Sequence, residues 1–425
     1  MKYDINVCVV DNGLFPELAL RLARDFAKVY YFTPWEDAFP VIEKRLIGDN
    51  VPGIIRVQEP FQKQFRQQVQ LYVFPDIFHS GIQQMLEELG YDVWGSRAGD
   101  ELETNRVFWK QKQTELGLPT GNYTIIYGLT DLTNYLKERP TESCYIKTTS
   151  RLRGTMETWE HRGWPESMYK IRDLYIKFGP AAEEAIFVVE EPIKTEFEPG
   201  FDTYCIDGQF PTLPIQGYEV KSRGMLYSAQ TRTNTPDLFD DVMRKLGPVL
   251  AEYNYRNFFS AEFRQKILID PCCRAPNPGL GLQLEMIENL SDIILYGAKG
   301  RLIEPKFVAE YGFQIAFTAH EIESGWIRLK IDPAQRQWYK FVEFCADGEY
   351  IDVTVKPGAN RIGWVLGLGD TVQDAFEHLK HNAELLPKGC QVDLEAAEQA
   401  VDTVIAAEKA GLEFAAETVK PVDAS

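Results

Sequence analysis

Two carboxylates of this chain, Glu262 and Asp270, lie eight residues apart in the run "FFSAEFRQKILIDPCCRAPNPG". The segments "SAEFR" and "ILID" read as two strands joined by a short turn. If that turn is symmetric about Lys266, Glu262 stands opposite Asp270, with β-carbons roughly 5 Å apart on one face. Like charges so placed repel, so a compensating cation is expected. Mg2+ held by one or two carboxylates together with substrate phosphates suits the arrangement. Taken alone, the same two residues also fit a solvated pair. Cys272 and Cys273 follow at once, but they do not make a thiol site. The seven cysteines are odd in number, no other two are close in sequence, and there is no CxxC spacing for zinc. Reduced thiols are expected.

Lys147 closes an apolar run, "CYIK", and precedes "TTSRLRG". A lysine with Arg151 and Arg153 beside Gly154 can gather around a polyphosphate. An exposed basic loop is the alternative, since no GxxxxGK[ST] sequence is present. In "VVEEPI", Glu190 and Glu191 interrupt a strand before a proline, which reads as a strand end turning outward. His378 and His381 are three residues apart on a helix without a third ligand nearby, and a solvent-facing pair is expected. His79 follows a strand end, where α/β clefts open, and is a candidate substrate contact. Neither Ser-His-Asp nor Cys-His-Asn chemistry has a local signature here.

The elements that must position these residues alternate at first between strand and helix. "INVCVVD" is a buried-strand run, followed by a turn at Asn12-Gly13. "PELALRLARDFAKV" carries Leu18, Leu22, Phe26 and Val29 at helical spacing, with Pro16 suited to the first turn. Strands are expected at 29–32, 53–57, 70–74 and 91–94, with a helix over 81–89, which together indicate a parallel α/β sheet. A helix over 103–116 then stops at Gly117. Further on come strands at 144–147 and 185–193 and a helix near 167–178. Antiparallel strands dominate from 201 to 229, and helices are expected over 236–253 and 284–296. From about residue 307 the chain reads as mostly β, with one helix at 370–386 for which Asp370 or Thr371 is the N-cap. The final stretch, 391–425, has eight acidic residues against two lysines and reads as a solvated or oligomer-facing helix.

Composition narrows the partners. The 425 residues are 44% hydrophobic and 25% charged, which is ordinary for a globular protein of several domains. A formal charge of −18 argues against a broad nucleic-acid footprint. No long apolar run marks a membrane span or signal peptide, so a cytoplasmic protein acting on small molecules is expected.

In order and spacing, these features resemble the ATP-grasp superfamily, chiefly phosphoribosylamine–glycine ligase and more distantly biotin carboxylase. The likeness covers about residues 1–390. "YDVWGSRAGD" through "GLPTGNY" resembles the passage from the first domain into the ATP-grasp module. "YIKTTSRLRGTMETW" resembles its lysine strand and phosphate loop, and "FVVEEPIKTEFEPGFDTYCIDG" its hinge strand. "FFSAEFRQKILIDPCCRAPNPG" resembles the metal hairpin, and "NRIGWVLGLGDTVQDAFEHL" the strand, turn and helix of the C-terminal domain.

The resemblance implies a multidomain α/β and α+β architecture. Its parts would be an N-terminal parallel domain (1–100), a small lid subdomain (101–190), a large subdomain carrying the metal hairpin (191–305), a β-rich C-terminal domain (306–390) and an acidic helical tail (391–425). It also implies site residues. Lys147, Arg106 and Arg153 would contact ATP phosphates, Glu190, Glu191 and Ile193 would offer backbone groups to adenine, and Glu198 would bind the ribose. Glu262, Asp270 and Cys272 fall at the Mg2+ ligand positions, and Arg274 would stabilise the transferring phosphoryl group. Three positions depart from the pattern: Cys272 replaces an asparagine, Asp270 a glutamate, and Gly154 stands alone in a loop that is glycine-rich in relatives. The implied activity is an ATP-dependent carboxylate–amine ligase working through an acyl phosphate, with ATP, a small carboxylate and an amine as ligands and a homodimer as an allowed assembly. A nucleotide-binding module with reduced chemistry is the other reading.

Overall fold

The computed structural model describes residues 2–34, 45–149, 158–194, 199–220, 224–229, 237–319, 325–355 and 361–409. The chain divides into two compact units. The larger comprises 1–98, 199–260 and 273–425, and the smaller 99–198 and 261–272.

The larger unit begins with a five-stranded parallel sheet. Its order is Ile55–Arg56, Phe26–Phe32, Tyr3–Val10, Leu71–Val73 and Asp92–Trp94. Val7, Cys8, Val9 and Val10 are all buried, as a central strand covered on both faces requires. The helix Pro16–Leu22 is shorter than its periodicity suggests. Phe26 and Val29 pack from the neighbouring strand instead, where apolar residues fit either period. The strand order reverses between Tyr3–Val10 and Leu71–Val73, the place where clefts open in such sheets.

Asp11 and Asp76 follow those two strands, and both are buried. Asp11 accepts hydrogen bonds from the Asn12 and Phe15 backbone amides at 2.7 and 2.8 Å and from the Tyr31 hydroxyl at 2.6 Å. Burial nevertheless dominates and pushes its carboxyl up to about 7. The unfolded chain ionises this group near 3.8, while the folded chain keeps its proton to about 7. The stability it contributes is therefore complete below the unfolded value and is lost as pH rises through the folded one. Relative to Asp11→Asn, which does not titrate, the wild type should lose up to about 1.4 kcal/mol per pH unit across that window. Urea midpoints of the two proteins measured over the same range check this. A difference independent of pH would refute it.

The rest of the larger unit is mostly antiparallel. Strands Pro199–Ile206, Ile215–Val220, Gly224–Ala229, Tyr311–Ala319, Arg361–Gly369 and Tyr339–Phe341 lie in that order in one sheet, with Cys390–Val392 also paired to Tyr311–Ala319. Gly325–Lys330, Tyr350–Val355 and Phe344–Asp347 form a separate three-stranded sheet. Thr371 caps the helix Val372–Glu384 by accepting from the Asp374 amide. The helix expected over 284–296 is two helices, Leu280–Met286 and Leu290–Ala298. The first helix stops where Ile287 turns extended and bridges to Phe307, with Glu288 donating its amide to the Lys306 carbonyl, and Asn289 bonds the 304–306 backbone through both ends of its side-chain amide. His378 is not solvent-facing. It packs edge-on against Trp338, with ring centroids 4.5 Å apart, and its Nδ1 meets the Leu368 backbone. Only His381 of that pair is exposed.

The smaller unit is a four-stranded antiparallel sheet in the order Tyr123–Tyr127, Ile186–Glu190, Cys144–Thr148 and Thr158–His161. Alternation assigns its two faces. Ile126, Ile146, Phe187 and Val189 pack with Leu132, Leu136, Ile171 and Leu174 of helices Leu129–Lys137 and Trp164–Phe178. Lys147 and Glu190 consequently project from the opposite face. The helix expected over 103–116 is interrupted at Asn105. The side chain of Asn105 accepts from the Phe108 amide and starts a new helix, Arg106–Glu115.

Candidate functional site

In the smaller unit, five charged side chains converge on the sheet face opposite the helices Leu129–Lys137 and Trp164–Phe178. Arg106 and Lys110 come from successive turns of the helix Arg106–Glu115, four residues apart and so on one side of it. Lys147 and Glu190 come from adjacent antiparallel strands. Tyr145 pairs with Glu190 and Lys147 with Val188, so the lysine and the glutamate are diagonal neighbours on one face. Asp270 comes from the strand Ile267–Cys272.

Lys147 Nζ lies 3.1 Å from Glu190 Oε2, 3.4 Å from Asp270 Oδ2 and 3.3 Å from the Ile269 carbonyl. Lys110 Nζ is 2.6 Å from Glu190 Oε1 and sits over the Tyr123 ring, and Arg106 pairs with the other oxygen of Asp270. Burial alone would raise the Asp270 carboxyl, but the charges of Arg106 and Lys147 outweigh it and hold the group below the usual aspartate range. The Glu190 carboxyl is likewise held low, by Lys147 and Lys110 against its burial. Burial pulls the Lys110 ammonium below the usual lysine range despite Glu190 beside it. Arg106, Lys110 and Lys147 thus face the Glu190 and Asp270 carboxylates in a largely enclosed group.

The hairpin differs from the symmetric expectation. Its turn consists of Gln265 and Lys266, with Gln265 at φ 55°, between strands Arg256–Arg264 and Ile267–Cys272. A two-residue turn sets Arg264 opposite Ile267, and counting back sets Glu262 opposite Ile269 rather than Asp270. Glu262 is exposed between buried Ala261 and Phe263. Glu190 also departs from expectation: it does not turn outward but points into the cation cluster, with its side chain 12% exposed. Glu191 is the outward residue, and its backbone amide donates to the Asn122 carbonyl. Ile193 is partly buried. Arg153 and Glu198 lie outside the described residues, as do Arg151 and Gly154.

Arg274 belongs to the larger unit. Its Nε is 3.8 Å from Asp76 Oδ1, and the next residue, Ala275, donates its amide to the Pro75 carbonyl at 2.8 Å. Both contacts tie Arg274 to the end of the strand Leu71–Val73 at the point where the sheet order reverses. His79, four residues past Pro75, is partly buried, and burial lowers its imidazole against the pull of Asp76. Cys273 is buried and Cys272 partly so, and both are free thiols.

Lys110 and Asp76 were not singled out from sequence. A lysine in an amphipathic helix reads as solvated. Its only signal is the four-residue offset from Arg106, which has meaning once Arg106 is itself a candidate.

These residues suit a polyphosphate, since three buried cations gathered in one place are what such an anion requires. For Mg2+ the fit is narrower. Among the described residues no three His, Cys, Asp or Glu side chains gather as a metal centre. Mg2+ nonetheless needs only one or two carboxylates when phosphates and water complete its shell, and Asp270 can supply an oxygen. Cys272 does not suit it, because a thiol is a soft donor.

No family model matches the sequence, and no curated protein matches it. Solved structures do. Phosphoribosylamine–glycine ligase from Thermotoga maritima superposes with a TM-score of 0.66 at 14% identity, over 91% of this chain and 98% of that one. The biotin carboxylase domain of 2-oxoglutarate carboxylase from Hydrogenobacter thermophilus, solved with MgADP, ADP and bicarbonate, gives 0.63 at 12% identity, over 97% of each chain. N5-carboxyaminoimidazole synthetase from Staphylococcus aureus, solved with ADP, gives 0.59 at 12% identity, over 90% of this chain and 98% of that one. No helix is long and apolar enough to cross a membrane among the described residues. With its parallel sheet, four-stranded antiparallel unit and carboxylate hairpin, the chain has the fold of the ATP-grasp enzymes.

Proposed function

We propose that this chain is an ATP-dependent carboxylate–amine ligase. A substrate carboxylate attacks the γ-phosphorus of ATP, the bond to the ADP oxygen breaks, and an acyl phosphate forms. An unprotonated amine then attacks the acyl carbon, phosphate leaves, and the nitrogen loses a proton to give the amide. The observation that carries the reading is the cation cluster of Arg106, Lys110 and Lys147 on a sheet face of an ATP-grasp fold.

In this reading Arg106 and Lys147 bind phosphate oxygens, and Lys110 holds Glu190 in place beneath them. Glu190, Glu191 and Ile193 offer backbone groups to adenine, with Arg153 and Glu198 as further nucleotide contacts. Asp270 is the carboxylate suited to Mg2+, with Glu262 as an additional oxygen donor. Bound there, the metal would offset phosphate charge. Arg274 stabilises charge on the transferring group, a task that phosphoryl transfer demands more than covalent help. Orientation of the amine supplies much of the remaining rate.

The test is ADP formation from ATP and Mg2+ across a panel of amino acids, phosphorylated sugars and small carboxylic acids, each with and without an amine. ADP release that requires one carboxylate and one amine, together with amide product, is the expected result. The binding-only alternative draws on Cys272, which replaces a hard donor with a soft one. ADP binding with no turnover on any member of the panel would favour that alternative.

A further inference from the structure

A cavity in the larger unit adjoins the segments that hold Arg274. Pro276, on its wall, follows Arg274 by two residues, at most about 7 Å of extended chain. Leu14, also on the wall, follows Asn12 by two residues, and the Asn12 side-chain nitrogen lies 3.4 Å from Asp76, the partner of Arg274. The wall is mostly carbon. Phe15, Leu284, Phe341 and Trp364 line it and are otherwise buried, whereas Leu14 and Val342 are partly exposed and form its rim. Its free space of about 310 Å³, part of it open to solvent, is at the small end for a ligand pocket. Two charged residues also reach the wall, Glu17 and Lys340, and both are engaged. Lys340 Nζ is 2.6 Å from Glu285 Oε1 and 4.0 Å from Glu17 Oε2. Glu17 accepts from Arg336 at 2.8 Å and from the Phe341 amide at 3.1 Å.

We propose that this cavity receives the side chain of the carboxylate substrate, and that the substrate is an unphosphorylated acid with a short aliphatic side chain. The proposal rests on the ligase reading given above. A carboxylate that meets Arg274 has the cavity within reach of its next few carbons. Each carbon buried against an apolar wall should strengthen binding about fourfold. A phosphate group has the opposite effect there. It would have to draw Lys340 away from Glu285, whose side chain is 7% exposed, and would lie beside the Glu17 carboxylate. Breaking a buried ion pair is costly, and low exposure keeps water from screening the repulsion between like charges. A hydroxyl in place of a methyl gives up its water without gaining a partner among the carbon side chains. The cavity therefore selects for carbon and against charge.

The test uses ATP, Mg2+ and hydroxylamine as a surrogate amine. Attack of its nitrogen on an acyl phosphate expels phosphate and, with loss of a proton, leaves a hydroxamate that is measured directly. The acids compared are glycine, valine, isovalerate, threonine and 3-phosphoglycerate. Valine should exceed glycine in kcat/KM by about fourfold for each carbon buried. Threonine, nearly the same shape as valine, should fall about tenfold or more below it. From 3-phosphoglycerate no hydroxamate is expected. Val342→Phe, which fills the cavity from its rim, should lower the ratio of valine to glycine at least about tenfold. Leu14→Phe, from another part of the rim, takes its place if that protein is poorly folded by circular dichroism. Equal use of glycine and valine would overturn the proposal, as would preference for 3-phosphoglycerate or an unchanged ratio in the folded rim variants. Absence of hydroxamate from every acid would instead remove the ligase reading, and calorimetric titration of wild type with valine and isovalerate then decides the cavity by itself. Binding heat that Val342→Phe abolishes would sustain it as an aliphatic site, and no heat from either acid would overturn it.

Discussion

Replacing Arg274 by alanine is expected to lower acceptor-dependent phosphate release by about 10²–10³-fold, the usual cost of losing one preorganised charge from a phosphoryl- or acyl-transfer site. Affinity for ADP should stay within about twofold, because the cations proposed to hold the nucleotide belong to another cluster. The expectation depends on how Arg274 is held. Its guanidinium pairs with Asp76, a buried carboxylate whose other oxygen lies 3.4 Å from the Asn12 side-chain nitrogen. The Ala275-to-Pro75 backbone bond fixes the main chain beside it. A long flexible side chain is thereby restricted before any substrate arrives, which is what makes a charge effective in a transition state. Arg274→Lys should recover only part of the loss, since an ammonium lacks the planar fork of donors. Steady-state phosphate release measured beside ADP titrations checks both halves. Turnover like the wild type in Arg274→Ala would sink the mechanism, and parallel loss of ADP binding would assign Arg274 to nucleotide contact.

How far the site could be read from sequence depended on what each signal required. Lys147 was legible because an apolar strand ending in lysine needs no partner to attract notice. Glu190 was misread for a definite reason. Alternation along a strand tells which residues share a face, but not which face the helices cover. Only the packing of Ile146 and Val189 on helices Leu129–Lys137 and Trp164–Phe178 turns Glu190 towards Lys147. The hairpin shows the same limit at finer scale. Moving the centre of the turn by half a residue changes the partner of Glu262 from Asp270 to Ile269, and composition does not fix the length of a turn. Asn105 and Asn289 mark where helical periodicity ran past real boundaries. Asn105 starts a helix through its side-chain oxygen, and near Asn289 the 286–288 backbone leaves the helix to pair with 306–308, neither of which a hydrophobic pattern registers. The parallel sheet was clearer, since strands such as Tyr3–Val10 are apolar without interruption.

Gly367→Ala is expected to cost about 3 kcal/mol or more, at the upper end of overpacking changes. A β-carbon at this position would fall 2.1 Å from the Ala375 carbonyl oxygen and 2.4 Å from the Leu379 nitrogen. These are main-chain atoms of the helix Val372–Glu384, so no rotamer change relieves the contact. The helix as a whole must retreat from the strand Arg361–Gly369. Retreat is opposed by the Asn382 side chain, which donates to the Leu366 carbonyl at 2.8 Å, and by Ala375, Phe376 and Leu379, all buried. Gly81 provides the contrast within the same unit. It lies inside the helix Ser80–Glu88 with nothing within 4 Å of an added β-carbon and without a positive φ. Gly81→Ala should therefore stabilise the chain by about 0.4–1 kcal/mol, through reduced entropy of the unfolded state. Thermal unfolding of both variants beside the wild type is the measurement. The helix packed across "GWVLGLGD" thus accounts for Gly367 and Gly369, whereas Gly363 faces the Lys340 carbonyl and the Phe317 ring; a Gly367→Ala protein unfolding at the wild-type temperature would mean that strand and helix do not cross this closely.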